Sequence, residues 1–326
     1  MNKILLTGSN GFVGKAVCDY LLRRGKSIIA PVRHPESLDV FAEKHPVSCI
    51  KIEDIGSNTD WQESLLGVDA VVHSAARVHV MNEVSSDPLA DFRHVNVDGT
   101  LNLARQAATI GVRRFIFISS IGVNGNQSFN KPFRDSDILN PQNSYSISKM
   151  EAEQGLREIA ASSNMEVVII RPPLVYGPGV KANFLSMMRW LHRGIPLPLG
   201  TIHNKRSLVG LDNLVDLIST CIEHPSAANQ VFLVSDGEDL STTDLLHQMG
   251  NALGKPPCLI PMPAGLLKLG ASLLGKSEIT LRLCGSLQVD ITRTRELLGW
   301  SPPVSVDEGL RQTAEHFLAS LQGGKL

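Results

Sequence analysis

The sequence has few of the features that mark a secreted, membrane-spanning or nucleic-acid-binding protein. Its five cysteines form no C-x-x-C pair and no metal-type spacing, so we expect reduced thiols and no bound metal. No stretch reaches the roughly 18 uncharged apolar residues of a membrane span, and glycines interrupt the apolar run at the N-terminus. The formal net charge of −1 gives no electrostatic reason to expect a nucleic-acid partner. These absences favour a cytoplasmic globular protein without an integral membrane segment.

The chain is also poor in aromatic residues, with only three tyrosines among 326 residues. Tyr145, in the segment NSYSISKMEAEQ (143–154), is followed four residues later by Lys149. In a helix the two side chains would lie on one face. A lysine ammonium beside a phenol favours the phenolate, so the pattern predicts a lowered pKa for Tyr145 and a general acid/base for a hydroxyl or carbonyl. The alternative is a pair of exposed side chains on a solvated helix face.

Short apolar runs alternate with helical patterns through the first half of the chain. The runs are continuous in Val, Ile, Leu and Phe, which is typical of strands covered on both faces. Predicted helices lie at 12–24, 88–110 and 145–161, and predicted strands lie at 3–8, 27–32, 47–52, 69–75, 113–120 and 166–172. This alternation predicts an α/β fold, a Rossmann-type doubly wound parallel sheet.

The segment LLTGSNGFVG places Gly8, Gly11 and Gly14 between the first strand and the first helix. Glycines there permit a tight turn, a close approach of the backbone to a pyrophosphate, and close packing of helix on strand. The phosphate would then meet free N–H groups at the helix N-terminus. The segment therefore predicts a dinucleotide site, with a plain strand–helix turn as the alternative.

The character of the sequence changes after Pro178, where Gly, Pro and Asn become frequent. A helix at 212–223 and a strand at 230–236 indicate a return to the sheet. We interpret residues 1–178, with about 207–237, as an NAD(P)-binding Rossmann domain, and residues 179–206 and 238–326 as a smaller, mostly helical substrate lobe. Segment 264–275 of the lobe is predicted to be an amphipathic helix that packs on its own lobe, with a membrane or partner contact as the alternative.

Several motifs together carry a family resemblance. The glycine spacing is G-x-x-G-x-x-G, and it is followed by HSAA (73–76), FISS (117–120), the Tyr145-x-x-x-Lys149 pair, RPPLVYGPG (171–179) and LLGWSPPVSVDEGL (297–310). In this order the chain resembles the extended short-chain dehydrogenase/reductase family over nearly its whole length. The resemblance implies hydride transfer, with Ser120, Tyr145 and Lys149 as the catalytic residues. Tyr145 would exchange a proton with the substrate oxygen and Ser120 would hydrogen-bond it, with Ser119 as the rival to Ser120.

The resemblance also implies a cofactor site. Val32 stands where NAD-specific members have an acidic residue for the ribose 2′-hydroxyl, and Arg33 follows it. An arginine without a neighbouring carboxylate suits a 2′-phosphate, so NADP(H) is preferred over NAD. The implied cofactor contacts are Gly8, Asn10, Gly11, Phe12, Val13, Gly14, Arg33, Asp54, Ile55, Ala75, Ala76, Asn96, Ser119, Tyr145, Lys149 and Pro172.

The second half of the chain resembles nucleoside-diphosphate-sugar enzymes, which implies a UDP-linked sugar as substrate. Asn183, Arg206 and Arg282 would bind the diphosphate, because guanidinium groups bind phosphate oxygens bidentately. The alternative for each arginine is a helix cap or a surface ion pair. The full set of implied substrate contacts is Arg77, Ser120, Asn183, Phe184, Leu199, Arg206 and Arg282.

The reaction type stays open at the level of sequence. Ile121 and Gly122 stand where sugar 4,6-dehydratases of this family have an Asp-Glu pair, so dehydration is not expected. A 4-epimerase and a 4-ketoreductase remain, both found among bacterial polysaccharide enzymes that act on UDP-linked N-acetylated sugars. Asn124 and Val78 replace a tyrosine and a lysine of galactose-type epimerases.

Two alternative functions are compatible with the same fold. One is a reductase of a hydrophobic carbonyl, as in steroid- or flavonoid-reducing relatives, and the other is a non-catalytic dinucleotide-sensing regulator. The resemblance also implies a homodimer through the helices at 88–110 and 145–161.

Overall fold

A seven-stranded parallel sheet organises the first part of the chain. The computed structural model describes residues 1–33, 47–78, 87–129, 131–273 and 277–323. Within these ranges the strands are β1 Lys3–Thr7, β2 Ser27–Val32, β3 Val47–Lys51, β4 Ala70–His73, β5 Arg114–Ile118, β6 Glu166–Arg171, β7 Leu174–Tyr176, β8 Arg206–Gly210, β9 Val231–Leu233 and β10 Asp239–Leu240. The large sheet has the order β3-β2-β1-β4-β5-β6-β9. The predicted doubly wound Rossmann-type sheet is thereby confirmed.

The strand order reverses between β1 and β4, which pair in parallel through Ile4–Ala70 to Thr7–His73. In open parallel sheets a crevice forms at this point, beyond the carboxyl ends of the strands, and ligands bind there. The fold therefore places a binding cleft after β1 and β4.

Helices cover both faces of the large sheet and build the rest of the molecule. Their bounds are α1 Phe12–Arg23, α2 Gln62–Leu65, α3 Pro88–Arg93, α4 Thr100–Ile110, α5 Ser144–Ala161, α6 Ala182–His192, α7 Leu211–Glu223, α8 Thr242–Ala252, α9 Ala264–Leu273, α10 Ser277–Cys284, α11 Thr292–Leu298 and α12 Val306–Gln322. One apolar core lies between the sheet and α1 and α7, and a second lies between the sheet and α4 and α5. None of the described helices is long and apolar enough to cross a membrane.

A second, smaller sheet was not predicted. Its order is β10-β8-β7, with β8 parallel to β7 and antiparallel to β10. These strands are only two to five residues long, so their sequences carry little periodic signal. A third apolar core, around Phe184, Met188 and Leu246, lies in the predicted substrate lobe. The division of the chain at 178, 206 and 237 stays a prediction.

The predicted helix at 88–110 has a change of hydrogen-bond register inside it. Residues His94–Gly99 form a π-helical turn between α3 and α4. Such turns insert a residue and often occur at functional sites. At Gly99 a Cβ atom would lie 2.7 Å from Cγ2 of Ile55, so the turn packs directly on the loop after β3. The predicted extent of this helix is confirmed, but it is not a continuous α-helix as predicted, because the π-helical turn interrupts it.

Candidate active site

The turn from β1 into α1 requires glycine for two separate reasons. Gly8 has a φ of +71°, and a Cβ atom there would lie 2.8 Å from the backbone N of Ala75. A Cβ atom at Gly14 would lie 2.0 Å from the carbonyl oxygen of Gly8. Helix α1 then begins after Gly11, which offers no side-chain cap to the first N–H groups. An uncapped helix N-terminus held against a glycine turn fits a phosphate.

A cleft of about 870 Å³ opens beyond β1, β2 and β4. This size is within the usual range for small-molecule sites. The structure brings most of the predicted cofactor contacts together around it, although the prediction of their roles stays untested. The predicted residues that line the cleft are Gly8, Asn10, Gly11, Phe12, Val13, Gly14, Arg33, Asp54, Ile55, Ala75 and Ala76, joined by Arg77.

Three residues that the sequence did not single out also line this cleft. The Nε2 atom of His94 lies 3.3 Å from Oδ2 of Asp54, and the Ser74 hydroxyl donates to the carbonyl of Thr7 at 2.7 Å. Asp91 lies beside them and forms an ion pair. Each of these residues is 14 to 67 positions from its partner, so no local pattern could have revealed the contacts.

Arg77, predicted as a substrate contact, lies with the dinucleotide residues. Its Nη2 atom donates to Oδ2 of Asp91 at 3.1 Å, and its guanidinium carbon lies 5.7 Å from the centre of the Phe92 ring. Its side chain is therefore held at the wall of the cleft by α3.

Asn96 lies in the π-helical turn and is 1% exposed. Its Oδ1 accepts from the backbone N of Arg77 at 2.8 Å, while Nδ2 donates to the carbonyl of Arg77 and to the hydroxyl of Ser148, both at 3.0 Å. Both amide hydrogens are thereby used within the protein. Asn96 positions the loop after β4 against α5, and its direct contact with a cofactor stays a prediction.

The structure distinguishes the two serines that follow β5. The hydroxyl of Ser119 is buried and donates to Oε1 of Glu153 at 2.5 Å. Ser120 is half-buried, and its hydroxyl oxygen accepts from the backbone N of Gly122 at 3.1 Å. The hydrogen of Ser119 is committed to a carboxylate, whereas that of Ser120 can serve a ligand. This supports the choice of Ser120 over Ser119.

Tyr145 and Lys149 lie on one face of α5, as predicted. The helix is capped by Asn143, whose Oδ1 accepts from the backbone N of Ser146 at 2.8 Å. Lys149 is 1% exposed, and its Nζ donates to the carbonyl of Ile118 at 2.9 Å and lies 6.0 Å from the centre of the Tyr145 ring. The reading of this pair as a solvated helix face is wrong.

The predicted lowering of the Tyr145 pKa is also wrong for the protein without a ligand. Burial raises the pKa of Tyr145 to about 12. Burial lowers the pKa of Lys149 to about 7, although Glu153 opposes this. The lysine charge is therefore itself disfavoured, and desolvation of the phenolate outweighs its attraction. Tyr145 is a neutral phenol near pH 7 and is ready to donate a proton.

A buried ion pair that was not predicted lies beside the two serines that follow β5. Arg171 at the end of β6 and Glu153 of α5 are each about 1% exposed in their side chains, and Nη2 lies 2.6 Å from Oε2. The same carboxylate accepts from Ser119. The carbonyl of Pro172, a predicted cofactor contact, accepts from the backbone N of Ile121 at 2.9 Å. These bonds fix the ends of β5 and β6 and α5 relative to one another.

Two of the predicted diphosphate ligands come together in the lobe. Arg206 lies on β8, and its Nη1 donates to the carbonyl of Gly285 at 3.1 Å. Burial lowers the pKa of Arg206, and the charge of Arg282 on α10 lowers it further. An anion between the two guanidinium groups would relieve this unfavourable effect on the charge of Arg206. This arrangement fits a diphosphate.

Two other predicted substrate residues have buried side chains in this structure. Phe184 is 1% exposed and stacks on Tyr176 with the ring centres 5.5 Å apart. Leu199 is 7% exposed, and its carbonyl accepts from the hydroxyl of Thr243 at 2.6 Å. Both side chains belong to the apolar core around Phe184, Met188 and Leu246. Their roles as substrate contacts stay predictions, as does that of Asn183, which is exposed at the start of α6.

Comparison with known proteins identifies the family. The sequence matches the profile of the NAD dependent epimerase/dehydratase family over residues 4–235. The chain belongs to this family. A UDP-glucose 4-epimerase from Vibrio cholerae is 51% identical over 318 residues, which cover 97% of this chain and 95% of the relative. The chain is therefore an enzyme of the extended short-chain dehydrogenase/reductase type, as the motifs predicted.

Solved structures of this epimerase/dehydratase family share the fold. A UDP-glucose 4-epimerase from Thermotoga maritima with UDP-glucose has a TM-score of 0.75 at 25% identity and covers 98% of this chain and 99% of its own. A UDP-glucuronic acid 4-epimerase from Bacillus cereus in complex with NAD has a TM-score of 0.77 at 19% identity, with 97% and 99% covered.

Proposed function

We propose that the protein is a 4-epimerase of a UDP-linked hexose. The observation that carries this proposal is the placement of half-buried Tyr145, buried Lys149 and Ser120 on the Rossmann fold, together with a second site where the charge of Arg282 acts on Arg206. One site suits chemistry at a sugar hydroxyl and the other suits a diphosphate. The Vibrio cholerae and Thermotoga maritima proteins described above, both named UDP-glucose 4-epimerases, support the same reaction.

The residues at the cleft fit a nicotinamide dinucleotide. Gly8 and Gly14 leave no room for a Cβ atom, and the N-terminus of α1 is uncapped. When bound there, the dinucleotide supplies the hydride acceptor and donor for C4 of the sugar. Arg33 would lie at the adenosine ribose, and Lys149 would bind the ribose on the nicotinamide side.

Tyr145 carries the proton in this proposal. It takes the proton of the C4 hydroxyl as C4 is oxidised and returns it when the opposite face is reduced. Ser120 hydrogen-bonds the same oxygen and holds it in place. The raised pKa of Tyr145 favours the donating step, and a positively charged nicotinamide beside it would favour the accepting step.

Arg206 and Arg282 would hold the diphosphate while the sugar turns. An epimerase has to present both faces of the 4-keto sugar to the same hydride donor, so the sugar must rotate without leaving. Binding energy located at the diphosphate would permit this, because the sugar could then turn while the rest of the substrate stays bound.

The reaction is tested by incubating the purified protein with UDP-glucose, and separately with UDP-N-acetylglucosamine, and separating the 4-epimers by chromatography. We expect reversible conversion of at least one sugar to its 4-epimer without net consumption of cofactor. Faster conversion of UDP-N-acetylglucosamine than of UDP-glucose would indicate that the enzyme prefers an N-acetylated substrate. Absence of both conversions would refute the proposal.

A 4-ketoreductase is the second candidate, and Arg33 favours it. Arg33 is exposed at the mouth of the cleft, directly after the buried Val32, and this pair supports NADP(H) rather than NAD. The Bacillus cereus neighbour was solved with NAD. Mass spectrometry of small molecules released from the denatured protein separates the two cases. NAD at near one per chain supports the epimerase, whereas an empty site and NADPH oxidation with a UDP-4-keto sugar support the reductase.

A further inference from the structure

Positive charge is concentrated in two segments of the substrate lobe. The whole chain is balanced, with 31 basic and 32 acidic residues. Residues 179–206 and 251–289 nevertheless contain nine basic residues and a single acidic one, Glu278. The nine are Lys181, Arg189, Arg193, Lys205, Arg206, Lys255, Lys268, Lys276 and Arg282.

Most of the described cations in these segments are not neutralised by a carboxylate. Elsewhere in the described chain arginines commonly pair with acidic neighbours, as Arg93 does with Glu151. Within the described residues, five cations of the lobe segments besides Arg206 take part in no such ion pair, and four of these five are exposed. The five are Lys181, Arg189, Arg193, Lys205 and Lys255. Two arginines are enough to bind a diphosphate, so the proposed substrate site does not account for these five further cations.

Large apolar side chains are exposed in the same two segments. Leu266 and Leu269 lie three residues apart on α9 and are 59% and 60% exposed. Trp190, Ile195 and Ile260 are also exposed. The neighbouring Leu267 packs against the lobe core, so α9 has one buried side and one uncovered apolar side. Packing on the lobe therefore explains the apolar residue on the buried side of α9 but not the exposed Leu266 and Leu269.

The segments that carry these residues are neighbours in the fold. The Nζ of Lys255 donates to the carbonyl of His192 at the end of α6, and the backbone N of Gly200 donates to the carbonyl of Ile260 at 3.0 Å. The chain then runs through Pro263 into α9. We call the following residues the basic apolar face: Trp190, Arg193, Ile195, Lys255, Ile260, Leu266 and Leu269.

We propose that the basic apolar face docks on the surface of an anionic lipid bilayer. Exposed leucines on a short helix beside uncompensated cations are the composition of segments that lie in the interface of such membranes. Anionic lipids complement the positive charge, at about 1 kcal/mol for each Lys or Arg near the surface. A second copy of the chain would set like charges against each other. The enzyme therefore binds a membrane from one side without crossing it.

The test is co-sedimentation of the full-length protein with two kinds of vesicle, one of phosphatidylcholine and one of phosphatidylcholine with phosphatidylglycerol. We expect binding to the anionic vesicles alone, and binding that weakens as salt is added, because screening shortens the reach of the charges. The paired substitution Arg193→Glu with Lys255→Glu should weaken binding at least about tenfold. Leu266→Ser with Leu269→Ser should weaken it to a similar degree.

The matched control is Leu66→Ser with Ile138→Ser, which removes two exposed apolar side chains outside the face, 62% and 92% exposed. This control should bind vesicles like the wild type. Thermal unfolding of each variant checks that a loss of vesicle binding is not caused by a loss of the folded structure.

The inactive Tyr145→Phe protein should also bind, so a failure of the proposed reaction would leave this result standing. No binding of the wild type to anionic vesicles would refute the proposal and would leave an acidic protein as the remaining partner for the face. Equal loss in the control pair, or equal binding to neutral vesicles, would also refute it.

Discussion

At the residue scale, the site depends on what burial does to ionisable groups. Tyr145 and Lys149 have the spacing of a cooperating pair, but desolvation moves both toward their neutral forms, with pKa values of about 12 and about 7. Near pH 7 Tyr145 is therefore protonated, whereas the charge of Lys149 is sensitive to bound charge nearby.

Tyr145→Phe removes the proton carrier and leaves the ring. We expect turnover to fall by at least about a hundredfold, the usual contribution of a general acid/base. Dinucleotide binding, followed by fluorescence or calorimetry, should remain near that of the wild type, because the phenyl ring of the variant can keep the edge-on packing against Phe92 that Tyr145 makes with the ring centres 6.1 Å apart. A variant with wild-type turnover would show that proton transfer is assigned to the wrong residue.

The three tyrosines give a direct optical test of the burial argument. Burial raises the pKa of Tyr20 and of Tyr145 to about 12, and it raises that of Tyr176 further. Absorbance of phenolate at 295 nm should therefore stay flat in the folded, ligand-free protein as pH passes the ordinary value of 10.0. In denaturant all three should titrate near that value. Tyr145→Phe identifies any early signal that belongs to the active site.

Arg206 can be tested through the substrate alone. Loss of a hydrogen bond to a charged group costs about 1.5–3 kcal/mol, so Arg206→Ala should raise KM for the UDP-sugar by about tenfold to a hundredfold. Lys205→Ala is the matched control, because Lys205 is an exposed neighbour outside the proposed site. Equal effects of the two substitutions would assign the result to general charge rather than to a diphosphate contact.

At the element scale, the ion pair of Arg171 with Glu153 joins β6 to α5 and orders the end of β5. Breaking a buried pair leaves an uncompensated charge and costs about 3–5 kcal/mol. Glu153→Gln should lower the free energy of unfolding in urea by that amount. Glu151→Gln on the same helix, whose partner Arg93 is largely exposed, should cost about 1 kcal/mol or less. Similar losses of unfolding free energy in the two variants would show that the buried ion pair stabilises the fold no more than the exposed one does.

The strands and helices of the first half were the most predictable elements. β5 is buried along its whole length, and an unbroken apolar run indicates such a strand directly. The π-helical turn at His94–Gly99 was not predictable, because its register is set by contacts with Ile55 and with the loop after β4. The short strands β7, β8 and β10 were missed for a similar reason, since they depend on one another across the lobe.

At the scale of the whole molecule, stability should depend on pH through groups that are buried in their neutral form. Burial lowers the pKa of His73 from 6.5 to about 3, and its ring nitrogens lie 2.8 Å and 2.9 Å from the hydroxyls of Thr7 and Thr100. The unfolded chain binds a proton at this residue below pH 6.5 and the folded chain does not. The free energy of unfolding should therefore fall as pH drops from about 6.5 toward 3.

Lys149 also makes the free energy of unfolding rise with pH, but over a higher pH range than His73. Its pKa falls from 10.5 to about 7 on folding, so its contribution to stability rises between these values and is smallest below pH 7. Urea unfolding at pH 4.5, 6.5 and 9 measures both effects. His73→Asn should flatten the acid side, whereas the exposed His316→Gln should not. An unchanged acid slope in His73→Asn would show that other groups control it.

The parallel sheet and the glycine turn were predictable from the sequence alone, because they follow from local rules: apolar runs and the steric needs of Gly8 and Gly14. The motifs also predicted the roles of Ser120, Tyr145, Lys149, Arg206 and Arg282, and those roles stay predictions. The neutral form of Tyr145, the hydrogen bond of Ser119 to Glu153, the influence of Arg282 on Arg206 and the burial of Phe184 and Leu199 needed the folded structure. Those outcomes depend on which distant groups exclude water from a side chain, and that information is absent from any short stretch of sequence.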